Sequence, residues 1–113
     1  MPSPAVYNLV VPQSTTFQFQ FQPQTDGVPW NLTGYTATMT VRPFLGATTT
    51  TLVATTENGK IDIDTTQALV TVNLSVLDTT LKPEPYVYDL MLYSGETIRL
   101  LEGKFLVVAG VTV

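Results

Sequence analysis

Phe17-Gln18-Phe19-Gln20-Phe21-Gln22 sets an aromatic ring at every second position and an amide at each one between. A helix would scatter those rings around its circumference. A strand sends three rings to one face and three amides to the other. The segment is read as a half-buried antiparallel strand, and the same alternation recurs along the chain. Tyr35, Ala37, Met39 and Val41 alternate with Thr36, Thr38, Thr40 and Arg42 until Pro43, which cannot donate to a ladder, ends the run. Thr51 to Thr55 is a short strand. Asn58-Gly59 then turns the chain, and Ile61 and Ile63 alternate with Asp62 and Asp64. Ala68 to Val76 places Ala68, Val70, Val72 and Leu74 on one face. Tyr86 to Tyr93 and Ile98 to Val108 form a hairpin through Ser94-Gly95-Glu96. Asp26-Gly27, between Pro23 and Pro29, marks a turn, and one helical turn is expected over Asp78 to Leu81 with Asp78 as its cap.

Seven or eight short strands separated by turns, with helical periodicity nowhere sustained, predict an all-β fold: an antiparallel β-sandwich, with a small barrel as the alternative. Leu81-Lys82-Pro83-Glu84-Pro85-Tyr86 favours the sandwich. A Leu-x-Pro turn leading to a strand-opening Tyr resembles the tyrosine corner of immunoglobulin-like sandwiches. The hydroxyl of Tyr86 or Tyr88 is accordingly expected to bond backbone near Leu81. At 113 residues and 12.3 kDa the chain has the size of one domain, able to bury about two thirds of its unfolded surface. Residues 1–12 are read as an N-terminal arm or edge strand, and 13–113 as the sandwich domain.

Two segments depart from one-sided alternation. Val6, Tyr7, Leu9, Val10 and Val11 at one end, and Phe105, Leu106, Val107 and Val108 at the other, are apolar on both faces. Such strands lie centrally between covered faces, or they supply an intermolecular contact, including addition to a neighbouring chain's sheet edge. If the contact is their role, a chain lacking residues 1–12 is expected to fold but no longer assemble.

Composition removes most chemistry. There is no Cys and no His, so disulfide frameworks, thiolate or imidazole metal centres and Cys-His or Ser-His-Asp mechanisms are excluded. Five Lys+Arg and nine Asp+Glu make 12% of the chain, against roughly 25% in ordinary soluble domains. The net charge of −4 and the scattering of Arg42, Lys60, Lys82, Arg99 and Lys104 argue against a nucleic-acid surface. Mean hydropathy is +0.22, yet no stretch approaches the roughly 20 apolar residues of a membrane span. Met1-Pro2-Ser3-Pro4 carries no positively charged, apolar leader, so export is not expected. A surface this poor in charge suits an assembly that covers much of it.

Asp62 and Asp64 share a strand face at a spacing that suits a Ca²⁺ site or a glycosidase-like pair, but solvation of an outer face is the favoured reading. Asp89 is read as a buried structural carboxylate paired with Arg99 across the hairpin. No catalytic, metal or cofactor site is assigned. Trp30 with Tyr7, Tyr35, Tyr86, Tyr88 and Tyr93 offers the elements of a sugar-stacking platform, although core or rim packing is favoured.

The order Thr16-Phe17-Gln18-Phe19, Gly27-Val28-Pro29-Trp30-Asn31-Leu32-Thr33-Gly34-Tyr35-Thr36, Val41-Arg42, Asn58-Gly59-Lys60-Ile61, Val70-Thr71-Val72, Tyr86-Val87-Tyr88-Asp89-Leu90 and Arg99-Leu100-Leu101-Glu102-Gly103 resembles a family of tailed-bacteriophage virion proteins. It is similar to the immunoglobulin-like N-terminal domain of phage baseplate upper proteins, over about residues 14 to 112. In those proteins a long receptor-binding-protein carrier follows, whereas this sequence ends at Val113. The resemblance implies a non-enzymatic module that oligomerises and docks on other virion proteins of tail, baseplate, neck or capsid, assembled in the host cytoplasm. A capsid cement protein is one form of that reading, and a carbohydrate-binding adhesion module is the rival from another class. Within the resembling elements, Gly34 is expected to turn the chain before the Tyr35 strand, and Gly103 to allow a bulge or close packing.

Overall fold

The computed structural model describes residues 5–109, so the extreme ends of both expected segments, 1–4 and 110–113, lie outside the described residues. In chain order the elements are β1 (Ala5–Val6), β2 (Leu9–Pro12), β3 (Phe17–Phe21), β4 (Gln24–Thr25), β5 (Val28–Pro29), β6 (Thr36–Arg42), β7 (Leu52–Thr55), β8 (Ile61–Asp64), β9 (Leu69–Leu74), α1 (Val76–Thr79), β10 (Pro85–Tyr93) and β11 (Thr97–Val108). The larger sheet runs β1/β2–β11–β10–β6–β7, and the smaller runs β3–β9–β8. A single core lies between them, closed by Met39, Val41, Leu90, Leu92, Leu101 and Phe105 from the first sheet and Val70, Val72 and Leu74 from the second. The fold is all-β, two sheets packed face to face together with a separate two-stranded β4–β5 ribbon.

Alternation does what it should where both partners are present. Phe17, Phe19 and Phe21 lean half-buried on the core, while Gln18 and Gln20 on the opposite face bond Asn73 and Thr71 of β9 at 2.6 and 3.3 Å. Ala37, Met39 and Val41 are fully buried on β6, with Tyr35 half-buried beside them. Gly34 takes a φ of +85°, in the left-handed region that a side chain disfavours, and Tyr35 N–H closes the turn onto Leu32 O at 3.1 Å.

Three expectations change. β9 stops at Leu74 because Ser75 is the N-cap of α1: its hydroxyl accepts from Asp78 N–H, and the Asp78 carboxylate accepts from Ser75 N–H. The helical turn thus starts at Val76, and Asp78 closes a capping box from inside. On β11 the bulge falls at Leu100, where the β10 register slips between Leu90–Leu101 and Met91–Arg99. That extra residue lets consecutive leucines, Leu100 and Leu101, both be buried. Asp89 is not buried. It pairs with Arg99 at 3.8 Å on the outer face, both side chains partly in solvent.

Tyr86 forms the expected corner. Its ring is buried at the start of β10, and its hydroxyl donates to Lys82 O at 2.8 Å, next to Leu81. Burial, and secondarily the nearby Glu84 carboxylate, raise its pKa.

Candidate interaction surface

β1 and β2 are one strand in two pieces. Ala5 pairs with Leu101 and Leu9 with Phe105, so a single offset of 96 residues runs through both, parallel to β11. The ladder breaks at Tyr7-Asn8, and its groups find substitutes there. Tyr7 N–H bonds Glu102 O at 2.9 Å, Tyr7 O accepts the Tyr88 hydroxyl at 2.6 Å, and the Asn8 side-chain oxygen takes Lys104 N–H at 2.9 Å. Gly103 lies opposite this break. A Cβ there would overlap the Tyr7 carbonyl oxygen and sit 2.9 Å from both the carbonyl carbon and Asn8 Oδ1. Close approach, rather than a bulge, is what this glycine permits.

The strand shows its two faces differently. Leu9 and Val11 turn inward and close the core together with Phe105 and Val107 of β11. Those four apolar interface candidates therefore belong to the chain's own interior. Val6, Tyr7 and Val10 remain exposed, by 71, 53 and 58%. Leu106 and Val108 are half-buried on the outer face beside Val10, and Val87 of β10 continues the apolar strip. Two-sided apolarity thus has two causes: one face fills the core, and the other forms a strip along the sheet margin.

Beyond that strip the outer face hollows into a groove of about 590 Å³, bounded by the loop carrying Leu45. Arg42, Arg99 and Lys104 line it with Asp89 and Glu102, so three of the chain's five cations gather around one depression. Arg42 is anchored by Nε donating to Ala47 O at 3.1 Å. Phe44 and Leu45 are highly exposed at the loop, and Pro43-Phe44-Leu45-Gly46 is the signal in the sequence, two large apolar residues in a turn.

Among the described residues the edge of β1/β2 is open. The odd-numbered residues face β11, as the bonds of Tyr7 N–H to Glu102 and Gln13 N–H to Val108 show. Val6, Asn8 and Val10 therefore turn their backbone groups away from it. The opposite margin of the same sheet is partly guarded: Asn58 donates to Val53 O at 3.1 Å and accepts Thr55 N–H at 2.9 Å, occupying one carbonyl and one N–H of β7. In the smaller sheet β8 is short and carries Asp62 and Asp64, and β3 exposes glutamines. Among the described residues, β1/β2 combines an open backbone edge with exposed aliphatic side chains.

The remaining candidates are occupied structurally. Asp64 Oδ1 accepts Thr66 and Gln67 N–H at 2.9 and 3.1 Å, closing the turn after β8, while Asp62 is exposed. Asp78 pairs with Lys60 at 2.8 Å; burial alone would raise its pKa, but the Lys60 ammonium and the Ser75 bonds bring it below the ordinary carboxylate range. Trp30 packs against the core and donates Nε1–H to Thr25 at 2.8 Å. Tyr86 and Tyr88 are buried, which removes two of the six rings from any sugar platform. Comparison with protein-family models returns no match, and neither does comparison with curated proteins.

Proposed function

We propose that this chain is a non-enzymatic bacteriophage virion structural protein, an immunoglobulin-like adaptor or decoration module that docks through the β1/β2 margin. The open edge with its uncharged aliphatic strip carries this reading. Residues 1–25 contain no charged side chain, so the edge and its approach can be covered without stranding an ion in an apolar contact.

The phage assignment rests on the sequence resemblance, whose most specific elements have structural work in this fold. Leu32-Thr33-Gly34-Tyr35 makes the turn into β6. Tyr86-x-Tyr88-Asp89-Leu90 and Arg99-Leu100-Leu101-Glu102-Gly103 build the central hairpin, including the two tyrosine hydroxyl bonds and the Gly103 contact. That pattern suits a scaffold, with the tyrosine corner supporting the immunoglobulin-like form. Immunogold microscopy with an antibody to this chain, on particles released by the encoding host, tests the reading. Labelling at a defined position on tail, baseplate, neck or head is expected; particles that carry no label would refute it.

A further inference from the structure

The open edge is suited to itself. We infer that β1/β2 pairs antiparallel with the same edge of a second copy about a two-fold axis at Asn8, fusing two large sheets into one. This deepens the assembly reading above and rests on it, by naming the occupant of the edge.

Three observations select a second copy. Val6, Asn8 and Val10 all turn their backbone groups outward, and the two valines stand two residues on either side of Asn8. A two-fold axis there sets Val6 opposite Val10 of the other copy, and Val10 opposite its Val6, so every outward N–H meets a carbonyl. Next, each copy carries a net charge of −4, so two copies repel wherever their charged surfaces face one another. The edge strand, in a stretch of 25 residues without a charged side chain, is where they meet without that penalty. Finally, the edge ends where pairing must: Pro12 has no N–H to offer, and its carbonyl is taken by the Thr15 hydroxyl at 2.8 Å. Among the described residues β7 is partly capped by Asn58 and β8 carries two carboxylates, while β1/β2 shows neither device.

Light scattering after size exclusion, across a concentration series of the full chain, tests the pairing. The unmodified protein is expected at twice 12.3 kDa. Val10→Pro removes an outward donor that β11 does not use, and is expected at the mass of one chain with unchanged circular dichroism. Val10→Lys serves as a second variant, with the same expected mass, should the proline substitution disturb the fold. Val53→Lys, on the guarded margin, is expected to leave the dimer intact. A single-chain mass throughout the series overturns the inference, as does a discrete multimer larger than two. So does a dimer that survives Val10→Lys, or one that Val53→Lys abolishes. Labelled particles together with a monomeric protein would sink the pairing and leave the virion reading standing; a dimer on unlabelled particles would do the reverse.

Discussion

The Tyr88 hydroxyl donates to the carbonyl oxygen of Tyr7, 81 residues earlier, at 2.6 Å. That bond ties the middle of β10 to the break between β1 and β2, reaching past β11 where Gly103 leaves room. The first strand is therefore held by a side chain from two strands away as well as by its ladder.

Removing the Tyr88 hydroxyl tests that tie. Tyr88→Phe leaves a carbonyl without its partner and should cost about 1–3 kcal/mol in urea unfolding. Tyr86→Phe should cost less, about 1 kcal/mol, because the Lys82 carbonyl lies in an exposed turn that water can reach. Burial, then the proximity of Tyr7, pushes the Tyr88 phenol far above its ordinary 10.0. A raised folded pKa means the unfolded chain ionises first, so this stabilisation is complete below about pH 10 and lost as pH rises beyond it. The Tyr88→Phe protein should show a shallower alkaline decline.

Gly103→Ala drives a methyl into the Tyr7 carbonyl, a backbone group that cannot swing aside. A loss of about 1–3 kcal/mol is expected, with early hydrogen exchange at residues 5–8 as the local signature. An unchanged denaturation midpoint would mean that the first strand does not pack here.

Truncation distinguishes packing from assembly. Deleting residues 1–12 removes Leu9 and Val11 from the core and uncovers Phe105 and Val107. Leu9→Ala alone should cost about 2–5 kcal/mol. The truncated chain should therefore lose most of its stability, measurable by thermal scanning, instead of simply ceasing to assemble.

The capping box at α1 gives the acid response. Asp78 has a folded pKa below its ordinary 3.8, so its contribution is present above about pH 4 and lost as pH falls through the folded value. Asp78→Asn should flatten the acid limb of stability against pH. Ser75→Ala should cost about 1 kcal/mol at neutral pH.

By contrast, Arg99→Ala should shift stability by less than about 1 kcal/mol, since its contact with Asp89 is long and open to solvent. A larger change would assign the pair a role that its geometry does not suggest.

The strands and their inward faces are legible in the order of residues, because period two needs no partner to be read. Phe17 to Phe21, Tyr35 to Val41 and the hairpin from Tyr86 to Val108 follow from alternation and turn residues, and the corner bond of Tyr86 follows from a local motif. The cap of α1 lies three residues before the expected Asp78 because Ser75 and Asp78 both accept backbone bonds, and only the geometry assigns their positions. Which apolar face is covered depends on how the sheets pack. Val10 and Val11 are equally hydrophobic neighbours, yet one is exposed and the other fully buried. Nor is the open edge of β1/β2 legible directly, since Asn58 covers part of β7 through bonds that depend on how its loop folds back. Side-chain chemistry specifies a strand; whether its edge is free depends on where every other strand has gone.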